Sequence, residues 1–275
     1  MLRKLIIKIF FKTGRFLCRF RGAWWADTLY LAAKDFCRSL DNVNFNFKSN
    51  GELRVLNALN VTHPKCVFDV GANKGEWSLL MASIFPACTI HAFEIVPSTF
   101  KQLKESTEGR PNILINNIGL SDVAGKLTIH HSSRDSSTAT ACRIEGMKFH
   151  DEFYTHQVEC EVMKIGDYID QNNIGTIDLL KIDVEGMDFK VILGLGEKIN
   201  SVRVIQFEYG IFNIASHHLL SDICAFLSNA GFMVGRILPK HVDFFEYHFY
   251  QETFHGGNCL AVRKDEKDLI NKLKK

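Results

Sequence analysis

The 275-residue chain contains no Cys-x-x-Cys pair; its eight cysteines stand at 18, 37, 66, 88, 142, 160, 224 and 259. Several lie inside apolar runs such as "KCVFDV" and "ACTI". That distribution excludes the paired spacing of a zinc ribbon and the dense frame of a disulfide-stapled domain. It fits buried, reduced thiols in a cytoplasmic protein. No run reaches the roughly 18 apolar residues of a spanning helix. The start, "MLRKLIIKIFF", is positive, but Lys8 and Lys12 interrupt any signal-like core and no small-residue cleavage site follows. An excess of one charge is missing too. With 33 basic and 31 acidic residues the net charge is +2, which argues against a global nucleic-acid binder. Neither an internal repeat nor a low-complexity linker is visible. The 46% of hydrophobic residues suffices for a sizeable core, and the 22 phenylalanines read as core and partner surface.

Acids are absent from the first 26 residues, the first being Asp27. Residues 1–60 read as a helical extension. At about 100° per residue, Leu2, Leu5, Ile6, Ile9, Phe10, Phe16, Leu17 and Phe20 fall on one arc, and Lys4, Lys8, Lys12, Arg15 and Arg19 on another. Such a helix over residues 1–22 can lie on an anionic membrane at the inner membrane face. Equally, its apolar face can dock on the rest of the chain. Gly14 weakens the helix in either case.

Residues 61–275 read as an α/β domain. "KCVFDVG" is a buried strand ending in glycine, and "GEWSLLMASIFP" a helix closed by Pro86. "CTIHAFE", "NILINN", "IDLLKID" and "VRVIQFEYG" are further strands, with helices at "PSTFKQLKES", "MDFKVILGLG" and "HLLSDICAFLSNAGF". "KLTIHHS" and "QVECEVMKI" alternate like hairpin partners, and "FMVGRIL" and "GGNCLAVRK" close the sheet. Strands alternating with helices predict a mostly parallel sheet with both faces covered, its ligand crevice outside the strands' carboxyl ends. The Ser/Thr-rich stretch "HHSSRDSSTATACR" is either a lid or a surface excursion.

Chemistry concentrates at those strand ends. In "VFDVGANKGEWS", Asp69, Gly71, Ala72, Asn73 and Gly75 occupy the turn between strand and helix, where glycines let the backbone approach a ligand and expose amides. The spacing is neither the GxGxxG of dinucleotide folds nor a phosphate loop. Glu94 ends the next strand, where a carboxylate can accept both hydroxyls of a ribose. "DLLKIDVEG" then places Asp183 and Glu185 just beyond a buried strand, with Gly186 for the turn.

Together "DVGANKGEWS", "HAFEIVPSTF", "NNIGLSD", "VMKIGDYI" and "LLKIDVEGMDFKVILG" resemble, in that order, FkbM-type methyltransferases that use S-adenosylmethionine (SAM). The resemblance spans roughly residues 65–262, and "KIDVEG" is its most specific part. It implies a class I methyltransferase (Rossmann-like) fold with a seven-stranded sheet whose last strand is antiparallel. It also implies that the Gly71–Gly75 turn lies against the amino-acid part of SAM and that Glu94 holds its ribose. Ile95 would flank the adenine, Asn117 or Ser121 would border its edge, and Asp183 would lie near the methyl group.

The resemblance further implies an O-methyltransferase, and the acceptor expected here is a sugar hydroxyl in a glycan or glycolipid precursor. That hydroxyl must lose a proton, for which Asp183 is the first candidate and Glu208 the second. Lys181 can orient the acceptor or pair with a neighbouring acid. Glu185 can meet the acceptor or cap the following helix. His217 and His255 are acceptor-contact candidates, although a lone histidine is more often structural. No cluster shows metal-ligand spacing, so no metal is expected. The rival readings are a methyltransferase of a soluble secondary metabolite and a non-catalytic SAM-binding or interaction module. A nucleic-acid methyltransferase is disfavoured by the missing aromatic tetrad and the neutral core.

Overall fold

A computed structural model of the chain describes residues 2–132, 138–144 and 146–275. Residues 133–137, inside the Ser/Thr-rich stretch, lie outside the described residues. The chain divides into two units, Met1–Val43 and Asn44–Lys275.

The first unit consists of α1 (Leu2–Leu17), a short turn, and α2 (Trp24–Leu40). No side chain of α1 is buried, and in α2 only Ala26 is. Within the unit, Arg21 stacks over the Tyr30 ring at 4.0 Å and bonds Asp27 at 2.8 Å. Among the described residues no helix is long and apolar enough to cross a membrane.

The second unit begins ahead of residue 61. Its α3 (Glu52–Ala58) buries Val55 and Leu56 in the main core. There follow β1 (Cys66–Val70), α4 (Glu76–Ile84), β2 (Thr89–Phe93), α5 (Pro97–Ser106), β3 (Ile113–Asn116), β4 (Gly119–Ser121) and β5 (Gly125–His131). Next come α6 (Lys148–Phe153), β6 (His156–Lys164), α7 (Ile165–Gln171), β7 (Leu179–Ile182), α8 (Asp188–Gly194), β8 (Val204–Glu208) and α9 (Phe212–Ser216). The chain ends with α10 (Leu220–Asn229), β9 (Phe232–Ile237), β10 (Val242–Phe244), β11 (Asn258–Arg263) and α11 (Lys267–Leu273).

The main sheet runs β10-β9-β11-β8-β7-β1-β2-β3. Pairs β3–β2–β1–β7–β8 are parallel, and β11 lies antiparallel between β8 and β9. These are the seven strands expected, with the last one antiparallel. β10, a three-residue strand paired to β9, adds an eighth at the edge.

Alternation along each central strand feeds two separate cores, because successive side chains of a strand point to opposite faces. Val67, Leu179 and Val204 pack with α3, α4 and α11 on one face. Phe68, Leu180 and Ile205 pack with α7, α8 and α10 on the other. The hairpin expected from "KLTIHHS" and "QVECEVMKI" forms as β5–β6, and β4 joins β6 in parallel to make a second, three-stranded sheet. Its inner side chains, with Val96, build a small third core.

Candidate active site

The carboxyl ends of β1, β2, β7 and β8 lie side by side, so the loops that follow them meet in one crevice. The β1 loop folds under β2: Gly71 and Ala72 both donate their amides to the Phe93 carbonyl, at 3.0 and 2.8 Å. Gly71 has φ +83°, and a Cβ there would stand 1.9 Å from the Asp183 carbonyl oxygen. Only glycine fits so close a crossing of two backbones. Gly75, also left-handed, faces α5 instead, where a Cβ would press on Leu103. It shapes the start of α4 and lines neither of the cavities described below.

Glu94 is buried just beyond β2, and its two oxygens accept the amides of Val96 (2.8 Å) and Asn73 (3.0 Å). Burial, reinforced by Asp69 and Asp183, pushes Glu94 up to about 7 against the pull of those two bonds. The carboxylate is therefore held rigidly, with lone pairs left for a vicinal diol. Asn117 ties the same corner by donating to the Glu94 carbonyl at 2.8 Å, and Ser121 bonds Asp122 at 3.1 Å. Neither of these two residues lines either of the cavities described below; Ile118, Gly119 and Leu120 line one of them from the same turn.

Lys181, from β7, is almost fully buried and bonds Asp69 at 3.2 Å and Asp183 at 3.4 Å. Burial opposes its charge, but Asp69 and Asp183 outweigh that and hold the ammonium well above its usual range. Asp69 spends its other oxygen on the Ser78 hydroxyl at 2.6 Å. Of these three side chains only that of Asp183, 43% exposed, opens toward solvent. Lys181 thus takes the ion-pair role. Asp69, although central to the motif, reaches the crevice only through it.

Glu185 adopts a left-handed backbone, φ +52°, and Gly186 follows at +99°. For a residue with a Cβ this costs about 1–2 kcal/mol, and the turn is braced by the Thr140 hydroxyl on the Glu185 carbonyl at 2.8 Å. Glu185 does not cap α8, whose N-cap is Met187. Glu208 closes β8, half-buried. Burial and the charges of Asp183 and Asp188 raise it well above the usual carboxylate range. Carboxylate oxygens of Asp183, Glu185 and Glu208 all lie within 4.8 Å of one another.

Two cavities meet at Gly71, Asn73 and Asp183. One is an apolar slot between Ile95, Leu127, Ile129 and Val162, with Glu94 at its side. The other, about 330 Å³, is bounded by Phe45, Phe47, Glu52, Trp77 and Lys181. Two buried polar atoms border the second with no hydrogen-bond partner among the described residues, Trp77 Nε1 and Asn73 Oδ1. The sequence reading missed Trp77 and the β5–β6 wall of the slot. The alternation of Leu127 and Ile129 in "KLTIHH" is the signal that points to that wall. His217 is exposed at the end of α9, and neither it nor His255 lines either cavity.

A family model described as the methyltransferase FkbM domain matches residues 69–234. The chain belongs to the FkbM methyltransferase family. It is 30% identical over 146 residues to Methyltransferase 1 of Beauveria bassiana, covering 48% of this chain and 59% of that protein. It is 27% identical over 191 residues to the 31-O-demethyl-FK506 methyltransferase FkbM of Streptomyces tacrolimicus, covering 61% and 72%. It is 22% identical over 143 residues to the hexuronic acid methyltransferase AglP of Haloferax volcanii, covering 52% and 54%.

The FkbM methyltransferase fold takes S-adenosylmethionine as cofactor, and the residues present fit it. The slot suits an adenine and Glu94 a ribose diol. Trp77 Nε1 offers a donor, and Asn73 Oδ1 an acceptor, to a zwitterionic amino-acid end.

Proposed function

We propose that this protein is a SAM-dependent O-methyltransferase whose acceptor is a sugar hydroxyl in a glycan or glycolipid precursor. The observation that carries the reading is the position of Asp183, whose half-exposed carboxylate stands where the two cavities join. Bound SAM supplies an electrophilic methyl group on a sulfonium. The chain's own residues orient both partners, exclude water and accept a proton. Glu94 and the Gly71 turn position the cofactor, and Lys181 fixes the rotamer of Asp183. Asp183 takes the proton of the acceptor hydroxyl, and Glu208, beside it, is the second candidate. The relative from Haloferax volcanii, named for a hexuronic acid, supports a sugar acceptor.

Calorimetric titration with SAM and S-adenosylhomocysteine tests the reading. The wild-type chain should bind both. Glu94→Ala should bind at least roughly tenfold more weakly, because hydrogen bonds to a charged group contribute about 1.5–3 kcal/mol. Wild-type protein that binds neither ligand sinks the proposal; a binder is then screened against sugar and glycolipid acceptors.

Residues 1–22 favour a membrane-bound acceptor. Residues 1–43 hold nine Lys and Arg against three acids, and Leu2, Leu5, Ile9, Phe10 and Phe16 are all exposed. An anionic lipid surface satisfies both features. The chain should sediment with phosphatidylserine-containing vesicles, and deletion of residues 1–22 should abolish this. Equal sedimentation of the two forms contradicts it.

A further inference from the structure

The cavity beside Lys181 has a wall that the cofactor does not need. Phe45 and Phe47, from residues 44–51 ahead of α3, line it together with Trp77, Lys181 and Asp183. Both phenylalanines belong to the second unit. Phe45 is 81% exposed and still lines the cavity, so its ring stands at the mouth; Phe47 is partly exposed. The amino-acid end of SAM is charged, and polar atoms such as Trp77 Nε1 and Asn73 Oδ1 suit it. Two side chains built of carbon alone offer that end nothing.

The segment that carries them is held in place. Asn44 Oδ1 accepts the Asn46 amide and Asn46 Oδ1 the Lys48 amide, each at 3.0 Å, which closes two successive turns. The Phe47 carbonyl accepts the Leu53 amide at 3.2 Å. Asn50 donates to the Asn44 carbonyl at 3.1 Å and to Glu52 at 2.6 Å. Buried Glu52 also accepts the side-chain amides of Gln206 in β8 (2.7 Å) and of Asn258 at the start of β11 (3.1 Å). Residues 44–51 are thereby tied to the strand pair that carries Glu208. An aromatic ring on so anchored a loop gives a ligand contact area at small entropic cost.

We propose that Phe45 and Phe47 determine acceptor specificity, forming the platform on which the ring of a sugar acceptor packs. The polar rim of that ring turns to Asp183. This rests on the methyltransferase reading and adds to it the surface that selects the acceptor. A pyranose has an apolar face of C–H bonds and a rim of hydroxyls. The cavity matches both, with an aromatic wall beside the Lys181–Asp183 pair. A wholly apolar acceptor would strip water from Asp183 without replacing its hydrogen bonds. A small charged acceptor without a ring would leave the phenylalanines unused.

The test uses the full-length chain in the presence of S-adenosylhomocysteine, with the methyl glycosides of glucose and of glucuronic acid as probes. Saturation-transfer nuclear magnetic resonance, irradiating the protein's aromatic protons, reads which sugar protons lie against its rings. Transfer to the ring C–H protons of one or both glycosides is expected at millimolar concentration. Phe45→Ala should weaken that binding roughly tenfold, and Phe45→Tyr, which keeps the aromatic face, should retain it. The calorimetric affinity for S-adenosylhomocysteine should be the same in wild type and both variants. Phe45 is exposed, so its truncation leaves the fold intact. No transfer to either glycoside, or equal transfer in Phe45→Ala, overturns the platform, while nucleoside binding keeps the methyltransferase reading in place. Loss of nucleoside affinity in Phe45→Ala also overturns it, because the wall then belongs to the cofactor. Sugar binding that depends on Phe45, in a chain that binds no nucleoside, upholds the platform and removes the methyltransferase reading.

Discussion

Each acid in the crevice is defined by its partners rather than by its place in a motif. Asp69 and Asp183 are both motif carboxylates at strand ends, yet one is sealed between Ser78 and Lys181 and the other opens to solvent. Lys181 links them and is the residue on which the arrangement depends most. Its replacement by methionine leaves Asp69 buried without a counter-charge, which costs about 3–5 kcal/mol. Urea denaturation of Lys181→Met should show a midpoint lowered to match; an unchanged midpoint would mean that Asp69 relaxes to another partner. Which residues stand in the crevice was largely legible, because "DVGANKG", "HAFE" and "KIDVEG" each end a strand. Which atoms remain available was not, since Ser78 and Trp77 become neighbours of Asp69 and Lys181 only through the packing of α4.

At the scale of elements, the small β4-β6-β5 sheet changes what the site is. The main sheet alone leaves the slot beside Glu94 open on one side; Leu127, Ile129 and Val162 close it with apolar surface. Leu127 is partly exposed, so Leu127→Ser should shift the melting temperature little. It should weaken S-adenosylhomocysteine roughly tenfold, as expected for about 1–2 kcal/mol of lost apolar contact. A calorimetric affinity equal to wild type would remove the slot from the cofactor site. The strands of the main sheet were legible because parallel strands buried on both faces read as continuous apolar runs. β10 escaped because three residues carry no period, and α3, although read as helical, was assigned to the extension because its apolar residues continue the composition before it.

Across the whole molecule, burial makes stability depend on pH. Glu94 sits at about 7 in the folded chain, against an ordinary value of 4.5. Its folded value is raised, so the folded state holds a proton that the unfolded state has released between these limits. That contribution is complete below about pH 4.5 and is lost as pH rises through about 7. Asp69 and Asp183 face this carboxylate and raise it further. The melting temperature of the ligand-free chain should therefore fall between pH 5 and pH 8, where burial also raises Asp188 and Glu208, and Glu94→Gln should make that fall smaller. An equal fall in wild type and variant would mean that Glu94 is ionised throughout. Thiol chemistry adds little here, because burial pushes Cys88 and Cys224 up to about 12 and keeps both neutral.

The sequence by itself determined the alternation of strands and helices, the acids and glycines at the strand ends, the family, and the basic amphipathic start. All of these are local patterns, written in period, spacing and turn chemistry. Tertiary structure decided which of those groups meet. Asp183 and Glu208 are far apart in the chain, and only the pairing of β7 with β8 sets their carboxylates beside Glu185. The slot wall likewise needs a second sheet folded over the first. Contacts of this kind depend on strand order and on the burial of charge, and no local window of residues records either.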